Sequence, residues 1–141
     1  MIVLLRIFVK IKRDSMKALL LAGPIVLIFV VIFGAFGAHA LKNILSSYGV
    51  SIYEKATIYQ LFHGLALLVL PLLVNQSIMS ATNAKLIMLT MLAGIIIFSG
   101  SLYILAITNI KWFGAITPIG GTLLILAWAL WIKAIMRSTV P

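Results

Sequence analysis

The chain has 141 residues, 64% of them hydrophobic and 9% charged, with a mean hydropathy of +1.25. A water-soluble domain is about half apolar and about a quarter charged, so this composition leaves too little polar surface for a soluble fold and indicates an integral membrane protein. Eleven Lys and Arg against two acidic residues give a net charge of +9. These basic residues stand between apolar runs and not in an aromatic-interleaved patch, so they read as membrane-flank charges with no nucleic-acid partner. The absence of cysteine excludes disulfides, thiolate nucleophiles, Cys-ligated zinc and iron–sulfur clusters.

In chain order, residues 1–15 carry a short apolar run ending in Lys12-Arg13, too short to span a bilayer. They read either as a basic extension, with Ile2, Leu5, Phe8 and Val9 facing lipid as a surface anchor, or as an upstream start, with Met16-Lys17-Ala18 as the working one. Residues 16–141 form one membrane domain. A membrane helix needs ~20 mainly apolar residues, and four segments qualify, at about 18–40, 56–74, 86–108 and 112–135. The fold expected is an all-α integral membrane protein, an antiparallel four-helix transmembrane bundle. In the linker 41–55, Leu41, Ile44, Leu45, Tyr48, Ile52 and Tyr53 recur at helical spacing. Some of this linker is expected to lie as a helix in the outer interface, interrupted by Gly49. The connections at 75–85 and 109–111 are short and polar. No repeat relates the two halves, which argues against an inverted-repeat carrier.

Orientation follows from Lys and Arg near the span ends. Arg6, Lys10, Lys12, Arg13, Lys17, Lys85, Lys133 and Arg137 lie on the terminal side, and Lys42, Lys55 and Lys111 on the other. Both termini are expected in the cytoplasm.

In hydrocarbon a polar side chain must find a partner or face a cavity. His39 closes the first span. Tyr59, Gln60 and His63 enter the second within ~11 Å of its outer end, and Ser99, Ser101 and Tyr103 lie within ~14 Å of that end of the third. Thr117 is five residues into the fourth. These eight residues define a candidate polar pocket in the outer half, above an inner half of Leu, Ile, Val, Met and Ala.

Tyr59 and His63 share a helix face at i and i+4, and His39 on the neighbouring helix is placed to approach it. Three readings stay open for the histidines: interhelical hydrogen bonds, a proton-responsive or substrate-contacting role, and axial ligation of haem. Two histidines alone are too few for a metal site, so neither metal nor cofactor is expected. Glu54, before the second span, reads as a linker charge beside Lys55 or Lys42. Ser99 and Ser101 lack an orienting third group, so no catalytic residue is assigned and no enzymatic activity is expected. Gly34, Gly37, Gly100, Gly120 and Gly121 read as small-residue packing positions and Pro118 as a kink. Trp112, Trp128 and Trp131 read as aromatic-belt residues.

The segments Gly34-Ala35-Phe36-Gly37-Ala38-His39, Tyr59-Gln60 with His63, Ser99-Gly100-Ser101-Leu102-Tyr103 and Thr117-Pro118-Ile119-Gly120-Gly121 with Ala127-Trp128 resemble, in order and spacing, the YgdD-like family of small bacterial inner-membrane proteins. The resemblance covers about residues 17–135. It implies a four-span protein of the bacterial plasma (inner) membrane, with no assigned substrate, cofactor or reaction.

The function expected is that of a non-catalytic accessory or structural membrane protein with a small polar pocket in the outer half of the bundle. The alternatives are a subunit of an oligomeric small-molecule or ion transporter or channel and, more remotely, a haem-binding electron carrier. The partners expected are the lipid bilayer and either a second copy of the chain or another membrane protein.

Overall fold

The computed structural model describes residues 2–41 and 43–138, with the side chains of residues 14, 16–41 and 43–138. Four helices follow in order: α1 (Ile2–His39), α2 (Ser47–Asn75), α3 (Ala81–Thr108) and α4 (Trp112–Met136). In lipid the backbone N–H and C=O groups have no water to bond, so the helix, which pairs them internally, is the structure an apolar run adopts. Each helix contains a segment long and apolar enough to cross a bilayer: Met16–His39, Ser47–Asn75, Ala81–Thr108 and Trp112–Met136.

The helix ends follow local chemistry. Ser46 caps α2 by accepting the Gly49 N–H at 3.1 Å, and Ser80 caps α3 by accepting the Asn83 N–H at 3.2 Å. Asn109 ends α3 in the left-handed conformation (φ 56°), its N–H returning to the Leu105 carbonyl.

The structure changes the reading of the first linker. Its helical stretch is the beginning of α2, and Gly49 does not interrupt it. Gly49 is buried, and a Cβ there would lie 3.2 Å from the Ala106 carbonyl oxygen. The position is needed for close approach of α2 and α3, not for a break. Tyr53, expected at the interface, is buried for the same reason. The lipid-facing side chains proposed for residues 2–9 and the placement of Lys42 lie outside the described residues.

The helices alternate in direction, and α3 is the hub. It packs against α2, α4 and, less extensively, α1. Among the described residues no Cα of α4 comes within 8 Å of one in α1 or α2. The backbones of α4 and α3 come close where Gly120 meets Phe98: a Cβ at Gly120 would lie 2.7 Å from the Phe98 Cα. Gly94 of α3 likewise lets α4 come close, against Leu124.

Two apolar clusters fill the interior. The larger joins Leu19 and Val26 of α1, Leu67 and Leu70 of α2, Ile87 and Met91 of α3, and Leu124 and Ala127 of α4. The smaller gathers Ile52, Tyr53 and Ala56 with Tyr103, Leu105 and Ala106. Large apolar side chains on every helix point outward, among them Val31, Phe62, Ile96 and Ile125. In a bilayer those are lipid contacts.

Candidate functional site

The polar residues form three separate hydrogen-bonded groups. The first joins α1, α2 and α3. Tyr53 donates its hydroxyl to the Phe33 carbonyl at 2.8 Å, and Thr57 donates to the Tyr53 carbonyl at 3.1 Å. The Tyr103 hydroxyl lies 2.9 Å from Gln60 Oε1 and 3.1 Å from Thr57 Oγ1, its single proton shared between them. Gln60 Nε2 donates onward to the Val26 carbonyl at 3.3 Å. That bond fixes the amide, since the opposite flip would set two oxygens face to face. Tyr53, Gln60 and Tyr103 are all buried.

The second group binds α3 to its neighbours. Ser99 donates to the Ala56 carbonyl at 2.9 Å, and Ser101 lies 2.9 Å from Thr117 Oγ1. Thr117 also reaches the Phe113 carbonyl at 3.3 Å. That is one residue before the Gly114 carbonyl, whose helical donor Pro118 removes. α4 runs through Pro118 as one helix.

The third group is aromatic. His63 Nδ1 lies 2.7 Å from the Tyr59 carbonyl oxygen, and Trp128 Nε1 donates to His63 Nε2 at 3.2 Å. Tyr59 itself is half exposed and packs its ring on Phe98 at 4.5 Å. Trp128, expected in an aromatic belt, thus also bridges α4 to α2. His63 and Trp128 each stand sixteen residues from the start of their parallel helices, about 24 Å along each, which brings them level.

His39 joins none of these groups. It is exposed at the end of α1, where Gly37 and Leu41 are the residues that pack toward α2 and Tyr53. The two histidines are not paired. Among the described residues every buried side-chain nitrogen and oxygen has a hydrogen-bond partner, and no group of three or more potential metal ligands occurs.

The open space at the end of the bundle where α1 passes into α2 lies beside this network, not within it. A cleft of about 600 Å³ opens between α1 and α2, lined by Gly34, Gly37, Ala38, Leu45, Val50, Tyr53, Glu54, Thr57 and Ile58. None of the eight residues expected to form a pocket lines it. Gln60, Ser99, Ser101, Tyr103 and Thr117 turn their polar atoms to carbonyls and to one another, and His63 turns to the Tyr59 carbonyl and Trp128. His39 and Tyr59 are exposed, whereas small residues of α1 leave the cleft open. Gly37 is needed for packing, since a Cβ there would come within 2.5 Å of the Tyr53 ring. Gly34 is not: nothing lies within 4 Å of the position a Cβ would take. Gly100 likewise faces open space, and Gly121 makes only ordinary contact with the Phe98 ring.

Sequence reasoning missed Tyr53, Thr57 and Trp128 in the network. The first two were findable, because Tyr53, Thr57 and Gln60 recur at i, i+4 and i+7 on one helical face. Trp128 had no comparable signal, because its partner sits on a helix whose backbone α4 does not touch.

Comparison with known proteins adds the family. Residues 33–121 match the family described as "Protein of unknown function (DUF423)", a stretch that begins just before Gly34 and ends at Gly121. A UPF0382 membrane protein of Staphylococcus aureus (strain bovine RF122 / ET3-1) is 44% identical over 86% of this chain and 98% of its own length. Another from Staphylococcus saprophyticus is 45% identical over 80% of this chain and 92% of its own. A third from Staphylococcus epidermidis (strain ATCC 12228) is 43% identical over 86% and 98%. No solved structure matches. Four apolar helices and these relatives agree on a multi-pass membrane protein, and the chain belongs to the DUF423 family, whose function is unknown.

Proposed function

We propose that this protein is a non-catalytic accessory protein of the bacterial plasma membrane that holds a small amphiphilic molecule in the cleft between the outer ends of α1 and α2. The observation that carries this reading is Gly34. It lines the cleft, yet no atom approaches the place of its missing side chain, so the residue keeps space open where a packing glycine would close it. The walls are mainly apolar and Glu54 adds a carboxylate, which favours an apolar tail with a neutral or cationic head over an anionic one. The internal satisfaction of the buried hydroxyls and amides supports a structural role for the polar layer. The YgdD-like resemblance rests on motifs that lie mostly within the matched stretch. The excess of Lys and Arg on the terminal side supports cytoplasmic termini.

The test is a titration of the full chain, in phosphatidylcholine nanodiscs, with dodecylammonium. The thermal midpoint should rise for wild type and Gly100→Leu and stay unchanged for Gly34→Leu and Glu54→Gln. An equal rise in Gly34→Leu contradicts the assignment, because Leu at that position projects from the cleft wall, where even its Cβ has open space, and would occupy the room the amphiphile needs.

A further inference from the structure

At the opposite end of the bundle from the amphiphile cleft, a second site is assembled from α3 and α4. Lys133 and Arg137 stand one helical turn apart near the end of α4, and two hollows meet at this pair. One, of about 130 Å³, lies between α3 and α4 and adds the Asn83 side chain to the two cations. The other, of about 410 Å³, runs along α4 over Ala129, Ile132 and Met136. The chain has two acidic side chains, Asp14 and Glu54, and neither is among the described residues that line either hollow. Two cations and an amide donor therefore converge with no acidic side chain among the described residues of their lining. They do so at the end of a membrane span, the depth at which lipid phosphates lie. Leu86 and Ile132, both exposed, continue the hollows toward the span interior as apolar tracks.

We propose that Lys133, Arg137 and Asn83 bind the phosphate of an anionic phospholipid, whose acyl chains lie along Leu86 and Ile132. The lysine acts as a point charge, and the arginine presents a planar fork that matches a phosphate. This site is independent of the α1–α2 cleft, so the two stand or fall separately.

The test is native mass spectrometry of the full chain released from nanodiscs containing equal amounts of phosphatidylglycerol and phosphatidylcholine. Wild type should retain phosphatidylglycerol in preference by at least about tenfold. Lys133→Gln/Arg137→Gln should lose the preference, and Lys133→Arg/Arg137→Lys should keep it. Lys55→Gln/Lys111→Gln, which removes the same charge from the other end, should also keep it. Asn83→Leu leaves the charge unaltered and should weaken the preference severalfold, which covers the case of a double variant that does not fold. The proposal is overturned if the preference survives Lys133→Gln/Arg137→Gln or is equally lost in Lys55→Gln/Lys111→Gln. An unchanged preference in Asn83→Leu also overturns it, by reducing the effect to general charge attraction. Inorganic phosphate bound in phosphatidylcholine discs, and lost with the Lys133/Arg137 pair, would overturn the lipid as its source.

Discussion

The indole N–H of Trp128 donates to His63 Nε2 at 3.2 Å, while His63 Nδ1 lies 2.7 Å from the Tyr59 carbonyl oxygen. A carbonyl can only accept and an indole N–H can only donate. The two partners therefore select the neutral ring with its proton on Nδ1. The nitrogen that a metal or haem would bind by its lone pair, Nε2, is already taken by Trp128.

This tautomer is directly measurable. Nitrogen-15 NMR of the histidines should show His63 protonated at Nδ1 and bare at Nε2, and Trp128→Phe should shift the Nε2 resonance while the Tyr59 carbonyl keeps the proton on Nδ1. A wild-type ring protonated at Nε2 would contradict the geometry.

The network from α3 to α1 predicts coupling between Gln60 and Tyr103. Interhelical hydrogen bonds in membrane bundles contribute ~0.6 kcal/mol on average, with a maximum of ~1.7 kcal/mol. Tyr103→Phe leaves Gln60 Oε1 buried without that partner, whereas Gln60→Leu with Tyr103→Phe removes both ends. In unfolding measurements the double variant should lose less stability than the sum of the singles. Strict additivity would mean that the 2.9 Å contact carries no energy.

The glycines separate into two kinds. Gly120→Ala should destabilise by about 1–3 kcal/mol through overpacking, because the obstacle is the Phe98 backbone and not a flexible side chain. Gly34→Ala meets nothing and should be neutral or up to about 1 kcal/mol stabilising through helix propensity. Thermal midpoints in detergent distinguish them, and equal effects at the two sites would contradict the packing described.

Truncation in the lower cluster should be costly and truncation at the lipid face should not. Leu67 is completely buried and Leu126 is half exposed. Leu67→Ala should cost about 2–5 kcal/mol by leaving a cavity, whereas Leu126→Ala exchanges one lipid contact for another. A similar loss at both positions in reversible unfolding would place Leu126 inside the protein.

Four helices, their order and their alternation were legible because runs of apolar residues bounded by Lys, Asn and Ser dictate them. The start of α2 was legible as a helix but not as part of the span, since Gly49 and the polar residues between Ser47 and Lys55 hide a continuity that the Ser46 cap and the burial of Gly49, Ile52 and Tyr53 supply. In the polar layer, depth along each helix identified Gln60, Ser99, Ser101, Tyr103 and Thr117 as residues needing partners. Depth alone does not tell which carbonyl is near, so Phe33, Val26 and Ala56 as acceptors were invisible. The same blindness joined His39 to His63 when only His63 turns into the bundle. Gly34 and Gly120 read alike in sequence, because the pattern records that a side chain is missing and not what stands where it would be.

The central claim is that Gly34 keeps a binding cleft open, and native mass spectrometry of the full chain extracted from its host membrane in gentle detergent tests it most directly. Wild type and Gly100→Leu should each carry one retained amphiphile mass that Gly34→Leu lacks. Retention of the same mass by Gly34→Leu would contradict the claim. So would a wild-type oligomer with no retained mass that Gly34→Leu dissociates, since the cleft would then receive a second copy of the chain.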